Sequence, residues 1–300
     1  MRPLAELPLE ARRRVTRVLA DIDDTLSTEG QVTAQALAAI ERLAGAGIDV
    51  IPVSGRPAGW CDHIARMWPV KAVIGENGAF YFRYDRGRRK LERRFFLDDA
   101  ARAESRRRLE ILARQILAAV PGSALASDQA YRDADLAIDY CEDVAPLPPQ
   151  AVDRIVALMT AAGARAKISS IHVNGWFGDY DKLAMTRILF RECFAAELDA
   201  VKDTVVFIGD SPNDEPMFQY FPLSVGVANV RDFEDRLKAR PAFVTPSRAG
   251  AGFAELADAL LAGKENPLGP AFLRPPKRGS RRRVSLPPHT PGSASRGRAR

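Results

Sequence analysis

The N-terminal part of the chain alternates between short apolar runs and amphipathic stretches. Three strands are predicted, at residues 15–21, 48–54 and 71–75. The second of these runs is nearly continuous in apolar residues, as in strands covered on both faces. Residues 33–47 have the spacing of a helix, with Thr33 as its N-cap and glycines at its end. Strands that alternate with helices in this way predict a parallel sheet.

A different pattern occupies residues 83–176. It contains two helices, at about 103–120 and 149–162, and two strands, at 133–140 and 166–173, in which apolar and polar residues alternate. Alternation is typical of a sheet with one open face. The pattern therefore predicts a small α+β domain, inserted after the third strand of the first domain.

The first pattern resumes at residues 177–263, with a buried strand at 203–210 and a closing helix at 251–263. The predicted fold class is therefore α/β. We expect a Rossmann-like, doubly wound parallel-sheet core, formed by residues 1–82 and 177–263, with an α+β cap domain inserted between these two parts.

Charge is distributed unevenly along the 300 residues. The formal net charge is +6, but residues 264–300 carry ten basic side chains and one acidic side chain, so the rest of the chain is net negative. This C-terminal segment is rich in Pro, Gly, Ser and Arg and has no apolar periodicity, which predicts a disordered tail. Its arginines can attract polyanions, but the arginine clusters at 281–283 and 296–300 contain no aromatic residues, so we expect no specific nucleic acid partner.

Cysteine content and hydropathy indicate a cytoplasmic protein. The three cysteines, Cys61, Cys141 and Cys193, are widely spaced and odd in number, which favours neither disulfides nor a zinc site. No apolar run approaches the roughly 20 residues that span a bilayer, and the N-terminus lacks the pattern of a signal peptide. We therefore expect no membrane partner.

Polar side chains follow three of the predicted strands. Asp21 and Asp23 come after the first, Ser54 after the second, and Asp210 and Asp214 after the strand at 203–210. In open α/β sheets ligands bind outside the carboxyl ends of the strands, so these side chains should meet in one crevice. Several carboxylates in one place repel one another unless a cation lies among them, and oxygen ligands favour Mg²⁺.

Four short motifs carry a family resemblance. "DIDDT" (21–25), "PVSGRP" (52–57), Lys182 in "DYDKLAM" and "IGDSPND" (208–214) resemble the sequence motifs of the haloacid dehalogenase-like superfamily of phosphatases. "IGENGAFYF" and an insert of this size resemble the Cof-type, type IIB capped branch of that superfamily, which includes sugar phosphatases and phosphomannomutases.

The resemblance implies roles for the carboxylates. Asp21 would be the nucleophile that forms an aspartyl-phosphate, and Asp23 would be the general acid and base. Mg²⁺ would bind the carboxylates of Asp21 and Asp210 and the backbone carbonyl of Asp23. Asp214 would lie in or next to the coordination shell.

The resemblance also implies a phosphate site, in which Ser54, Lys182 and Asn213 would hold the phosphoryl oxygens. Asp24 departs from the family pattern, because glycine is common at its position. A solvent-exposed turn is the favoured interpretation for this residue.

The inserted domain would select the leaving group. Six candidate substrate contacts lie at the rim of the core or near the end of the insert: Arg56, Glu76, Asn77, His172, Asn174 and Trp176. His172 is equally well interpreted as a structural residue, and Trp176 as a packing residue or a platform for a sugar ring. Asp135 and Asp139 lie on one face of the strand at 133–140, where we expect them to be exposed to solvent.

The resulting functional prediction is a Mg²⁺-dependent phosphatase that acts on a small phosphorylated metabolite, with a sugar phosphate as the leading substrate. Two alternatives stay open. The chain could be a phosphosugar mutase of the same superfamily, or a polyanion-binding protein that acts through its basic tail. The sequence does not predict an oligomeric state.

Overall fold

A computed structural model describes residues 1–169 and 171–264 of the chain. Except for Lys264, the predicted disordered tail therefore lies outside the described residues. Within these residues, none of the helices has the length and apolar character of a membrane span.

The described residues form fifteen strands and nine helices. The strands are β1 (Arg2–Pro3), β2 (Arg17–Ala20), β3 (Ser27–Thr28), β4 (Gln31–Val32), β5 (Asp49–Pro52), β6 (Val73–Gly75), β7 (Phe80–Asp85), β8 (Lys90–Phe95), β9 (Ala124–Leu125), β10 (Leu136–Asp139), β11 (Arg165–Ile168), β12 (His172–Trp176), β13 (Val205–Gly209), β14 (Leu223–Gly226) and β15 (Phe243–Val244). The helices are α1 (Leu9–Arg14), α2 (Ala34–Gly45), α3 (Ala58–Met67), α4 (Asp99–Ala119), α5 (Pro149–Ala161), α6 (Lys182–Phe194), α7 (Leu198–Val201), α8 (Glu215–Tyr220) and α9 (Ala249–Ala262).

The central sheet has six strands in the order β1-β15-β14-β13-β2-β5, and all neighbouring strands are parallel. Its two faces are covered by different apolar cores. Val18 of β2 packs in the core that contains Ile40 of α2 and Leu260 of α9, whereas the next residue, Leu19, packs in the core that contains Leu189 of α6. Burial on both faces explains the continuous apolar runs. The predicted doubly wound core is confirmed.

The insert has its own sheet and its own core. Four antiparallel strands in the order β11-β12-β10-β9 pack with α4 and α5 around residues such as Ile116, Ile138 and Ile155. The prediction of a single strand at 166–173 is wrong, because this stretch contains the end of β11 and the start of β12. The chain reverses there, and Ser169 stabilises the turn between β11 and β12 by accepting the His172 N–H with its hydroxyl, at 2.9 Å.

The sequence pattern did not predict β8. This strand pairs with β7 in the three-stranded antiparallel sheet β6-β7-β8, and its Leu91 and Phe95 pack against the core that contains Val18. Its sequence, "KLERRF", is dominated by charged residues, which hide the strand signal and are common on the exposed edges of sheets.

Asp135 and Asp139 are buried, with exposed fractions of 3% and 0%, so the expected exposure of both residues is wrong. Asp135 accepts from the guanidinium of Arg132 at 3.0 Å and from the side-chain amide of Asn174 at 3.0 Å. Asp139 accepts three backbone N–H groups of the following turn, from residues 141–143, at 2.8 to 2.9 Å. These hydrogen bonds replace the water molecules that both carboxylates lose on burial.

Glu76 connects the insert to the core. Its carboxylate is fully buried and accepts four backbone N–H groups, one from Ala58 of α3 and three from consecutive residues 133–135 of the insert, at 2.6 to 3.0 Å. Arg132 adds a hydrogen bond to the carbonyl of Gly55, at 3.1 Å. Glu76 is one of the candidate substrate contacts. Both of its carboxylate oxygens already accept backbone N–H groups, so its position is that of a connection between the insert and the core.

Candidate active site

Three acidic side chains converge at the carboxyl ends of β2 and β13. These strands are neighbours in register, with Ala20 opposite Ile208, so Asp21 directly follows a paired position and Asp210 lies two residues after one. Asp214 lies one turn further along the second loop. Each of the three buried carboxylates has an oxygen within 4.8 Å of the others. The sheet order reverses at this point, because β5 lies on one side of β2 and β13 on the other.

Lys182 provides a positive charge inside this cluster. Its ammonium lies 2.6 Å from Asp21 Oδ1 and 2.8 Å from Asp214 Oδ1, and it is buried. Asp181 caps the helix that begins at Lys182 by accepting the Ala184 N–H, at 2.7 Å. A Cβ at Gly78 would lie 2.1 Å from the carbonyl oxygen of Asp181, so only glycine allows this close approach between the 76–78 loop and the start of α6.

The cluster has excess negative charge. Burial, followed by the charges of Asp214 and Asp21, raises the pKa of Asp210 to about 9. Burial opposes the charge of Lys182, but its two carboxylate partners prevail and raise its pKa. Three carboxylates and one ammonium leave two negative charges when all are ionised. A set of close carboxylate oxygens with this charge fits a hard divalent cation such as Mg²⁺.

We expect the protein in EDTA to lose stability as the pH rises. A carboxyl group whose pKa is raised by folding stabilises the folded state fully only below its ordinary value, 3.8 for Asp210, and this contribution is lost as the pH rises through about 9. Thermal unfolding between about pH 6 and pH 9 should therefore show a falling Tm for the parent and a flatter profile for Asp210→Asn. Identical profiles for the two proteins would contradict this account of the cluster.

Asp23 forms an ion pair with Arg56. The guanidinium donates to the carboxylate of Asp23 through Nε at 2.9 Å and Nη2 at 2.6 Å, and it stacks over the ring of Trp60 at 4.4 Å. The hydroxyl of Ser54 accepts the backbone N–H of Arg56, at 3.1 Å. Arg56, a candidate substrate contact, is therefore positioned to orient Asp23.

Asp24 has a left-handed backbone, with φ of +53°. Glycine adopts this conformation without strain, and among other residues Asp and Asn tolerate it best, which explains why aspartate can replace glycine here. The carbonyl of Asp24 accepts the side-chain N–H of Asn229, at 2.9 Å, and the same amide nitrogen lies 3.5 Å from Asp210. Sequence reasoning missed Asn229, although its position just after β14 was the signal that could have identified it.

The sequence model for haloacid dehalogenase-like hydrolases matches residues 18–101 and 191–256, which together are half of the chain. The chain belongs to this family. The match includes the strands and loops that carry Asp21, Ser54 and Asp210. A search of curated proteins gives no significant match.

Solved structures share the fold of this haloacid dehalogenase-like hydrolase. A protein from Thermoplasma acidophilum is 21% identical, with a TM-score of 0.63, over 82% of this chain and 98% of its own. A HAD/COF-like hydrolase from Plasmodium vivax is 17% identical, with a TM-score of 0.61, over 86% of this chain and 100% of its own. A sucrose-phosphatase from Synechocystis, solved with sucrose and phosphate, is 15% identical, with a TM-score of 0.57, over 83% and 98%.

Two cavities of the haloacid dehalogenase-like hydrolase are lined by residues of the candidate site. The first, of about 360 Å³, is lined by Asp23 and by aromatic side chains that include Trp60 and Trp68. The second, of about 490 Å³, lies between the core and the insert. Its lining includes five residues from both parts: Asn77, Lys167, Trp176, Lys182 and Asn213.

Of the three candidate substrate contacts in the insert, Trp176 lines a cavity, whereas His172 and Asn174 do not. Trp176 lines the second cavity, and its indole N–H donates to the carbonyl of Tyr180, at 3.4 Å. His172 and Asn174 are buried and do not line either of these two cavities. Nε2 of His172 lies 2.8 Å from a carboxylate oxygen of Glu142, while Asn174 donates to Asp135. Their positions favour structural roles within the insert.

Proposed function

We propose that this haloacid dehalogenase-like hydrolase is a Mg²⁺-dependent phosphatase that hydrolyses a small organic phosphomonoester. The observation that carries the proposal is the buried contact of Lys182 with Asp21 and Asp214, next to Asp210, at the carboxyl ends of β2 and β13. This contact supports the proposal, because the reaction needs a carboxylate nucleophile, a cation and a set of oxygen ligands close together.

Asp21 is the proposed nucleophile. One of its carboxylate oxygens attacks phosphorus, the phosphorus–oxygen bond to the leaving alcohol breaks, and Asp21 becomes an aspartyl-phosphate. Asp23 gives its proton to the leaving oxygen, and in the second half of the reaction it takes a proton from the water that releases inorganic phosphate. Arg56, which holds the carboxylate of Asp23, would position this acid and base.

The remaining residues of the site would bind the phosphoryl group and the metal ion. Lys182, Ser54 and Asn213 are the proposed contacts for the phosphoryl oxygens. Asp21, Asp210 and Asp214, with the carbonyl of Asp23, would hold Mg²⁺. When bound, the ion would offset the repulsion between the carboxylates and an anionic substrate.

A sugar phosphate is the proposed substrate class. The sucrose-phosphatase from Synechocystis, whose fold is shared, makes this the first class to test.

The proposal is tested by a screen of phosphorylated metabolites in Mg²⁺ and in EDTA, with release of inorganic phosphate as the measurement. We expect turnover in Mg²⁺ and a loss of at least about a hundredfold in EDTA, because the carboxylates then repel the substrate. Activity that is unchanged in EDTA would contradict the metal assignment. Transfer of phosphate between positions of a sugar, without release and with a bisphosphate activator, would instead identify the mutase alternative.

A further inference from the structure

A lysine from the insert reaches the active-site loop of the core. Lys167 lies on β11, and its ammonium donates to the backbone carbonyl of Asn213, at 2.6 Å. Asn213 follows β13 and stands directly before Asp214. The insert therefore places a second cationic side chain, beside Lys182, in the cavity between the two parts of the chain.

Lys167 lacks a charged partner of its own. Among residues 1–169 and 171–264, no carboxylate oxygen lies within ion-pair distance of its ammonium. Burial, followed by the charge of Lys182, lowers the pKa of Lys167 to about 8. An ammonium has three N–H donors, and the carbonyl of Asn213 uses one of them. The remaining donors are available to a ligand.

The other charged groups that line this cavity are already paired. Lys182 contacts Asp21 and Asp214, and Arg165 forms an ion pair with Asp179. Asp181, which also lines the cavity, caps α6 through the Ala184 N–H. Lys167 is thus the positive charge of this cavity that can take an anionic ligand without breaking an ion pair.

The cavity is larger than the reacting phosphoryl group needs. Its volume of about 490 Å³ is in the range of sites for whole small molecules. Lys182 is held by Asp21, where the phosphoryl group would be transferred, whereas Lys167 comes from the insert and is held by the carbonyl of Asn213. The two cations are therefore suited to two different groups of one substrate.

We propose that Lys167 is a specificity-determining residue, which binds a second anionic group, a carboxylate or a phosphate, on the leaving group of the substrate. This inference rests on the proposed phosphatase function. It narrows the substrate class to phosphomonoesters with a further negative charge, such as phosphorylated sugar acids or sugar bisphosphates.

The test compares matched pairs of phosphomonoesters. Glucose 6-phosphate with 6-phosphogluconate tests a carboxylate, and fructose 6-phosphate with fructose 1,6-bisphosphate tests a phosphate. Turnover by the parent, Lys167→Met and Lys167→Arg gives kcat and KM for each compound. Isothermal titration of Asp21→Asn, with and without Lys167→Met, gives affinities that do not require turnover. Lys90→Met, on the exposed β8, is the control for loss of one positive charge.

We expect the parent to prefer the more anionic member of at least one pair. Lys167→Met should reduce this preference about tenfold or more through KM, since hydrogen bonds to charged groups contribute about 1.5 to 3 kcal/mol, while the KM of the less anionic member changes little. Lys167→Arg should retain part of the preference. The pair whose preference falls in Lys167→Met shows whether the second anionic group is a carboxylate or a phosphate.

Two results would overturn the inference. One is a parent that binds and turns over both members of each pair equally. The other is a Lys167→Met variant that weakens both members alike, which would indicate that the lysine only connects the insert to the core. Absence of turnover by the parent, with preserved discrimination in the Asp21→Asn titrations, would instead refute the phosphatase proposal and leave the anion site supported.

Discussion

Asp21→Asn is expected to lower phosphatase kcat by at least about a thousandfold without unfolding the protein. An amide oxygen is a poor nucleophile and cannot form the aspartyl-phosphate, so both halves of the reaction are lost. The substitution also removes one charge from a cluster with excess negative charge, so the Tm should not fall.

Two measurements check this prediction. Steady-state release of phosphate gives kcat, and mass spectrometry of acid-quenched protein detects the phosphoryl adduct, which should form on the parent and be missing from the variant. Asp153→Asn, at an exposed position on α5, is the matched control and should behave as the parent does. Equal turnover by Asp21→Asn and the parent would remove Asp21 from its proposed role.

Glu76→Ala is expected to reduce the free energy of unfolding by about 3 to 5 kcal/mol. The substitution leaves four buried N–H groups without their acceptor, and each such group costs about 1 to 3 kcal/mol when water cannot reach it. Entry of water into the junction would reduce the total, so the expected loss is smaller than the sum of the four.

Urea denaturation followed by circular dichroism measures this loss, and hydrogen exchange locates it. The amides of residues 133–135 should exchange much faster in Glu76→Ala, while those of β13 should change less. Glu76→Gln, which keeps one acceptor oxygen, should recover part of the stability. Glu110→Ala, exposed on α4, is the control. Unchanged protection at 133–135 would show that Glu76 does not hold the insert.

Sequence reasoning predicted the parts of the fold that depend on local patterns. Val18 and Leu19 are both apolar because β2 is buried on both faces, and this run predicts a strand of a parallel sheet. The Thr33 cap is confirmed, since its hydroxyl accepts the Ala36 N–H at 3.2 Å. Asp21 and Asp210 could be placed together because both follow such strands.

Features that depend on distant contacts could not be predicted in this way. Charge on a strand usually indicates exposure, but Asp135 is buried because Arg132 and Asn174 surround it. The sequence around Lys167 indicates only a strand, since nothing local shows that this lysine meets the loop after β13. The positions of Glu76 and Asn229 likewise follow from tertiary contacts, which a single sequence does not contain.

The pairing of β2 with β13 has a consequence for biosynthesis. Val18 lies opposite Val206, so an emerging polypeptide exposes one unpaired edge of β2 until the ribosome has translated the insert and reached β13. The insert has its own apolar core and can condense while translation continues. Its condensation shortens the effective tether between the two strands, which lowers the entropy lost when they join. The insert thereby helps its host sheet to close, whatever it contributes later to catalysis.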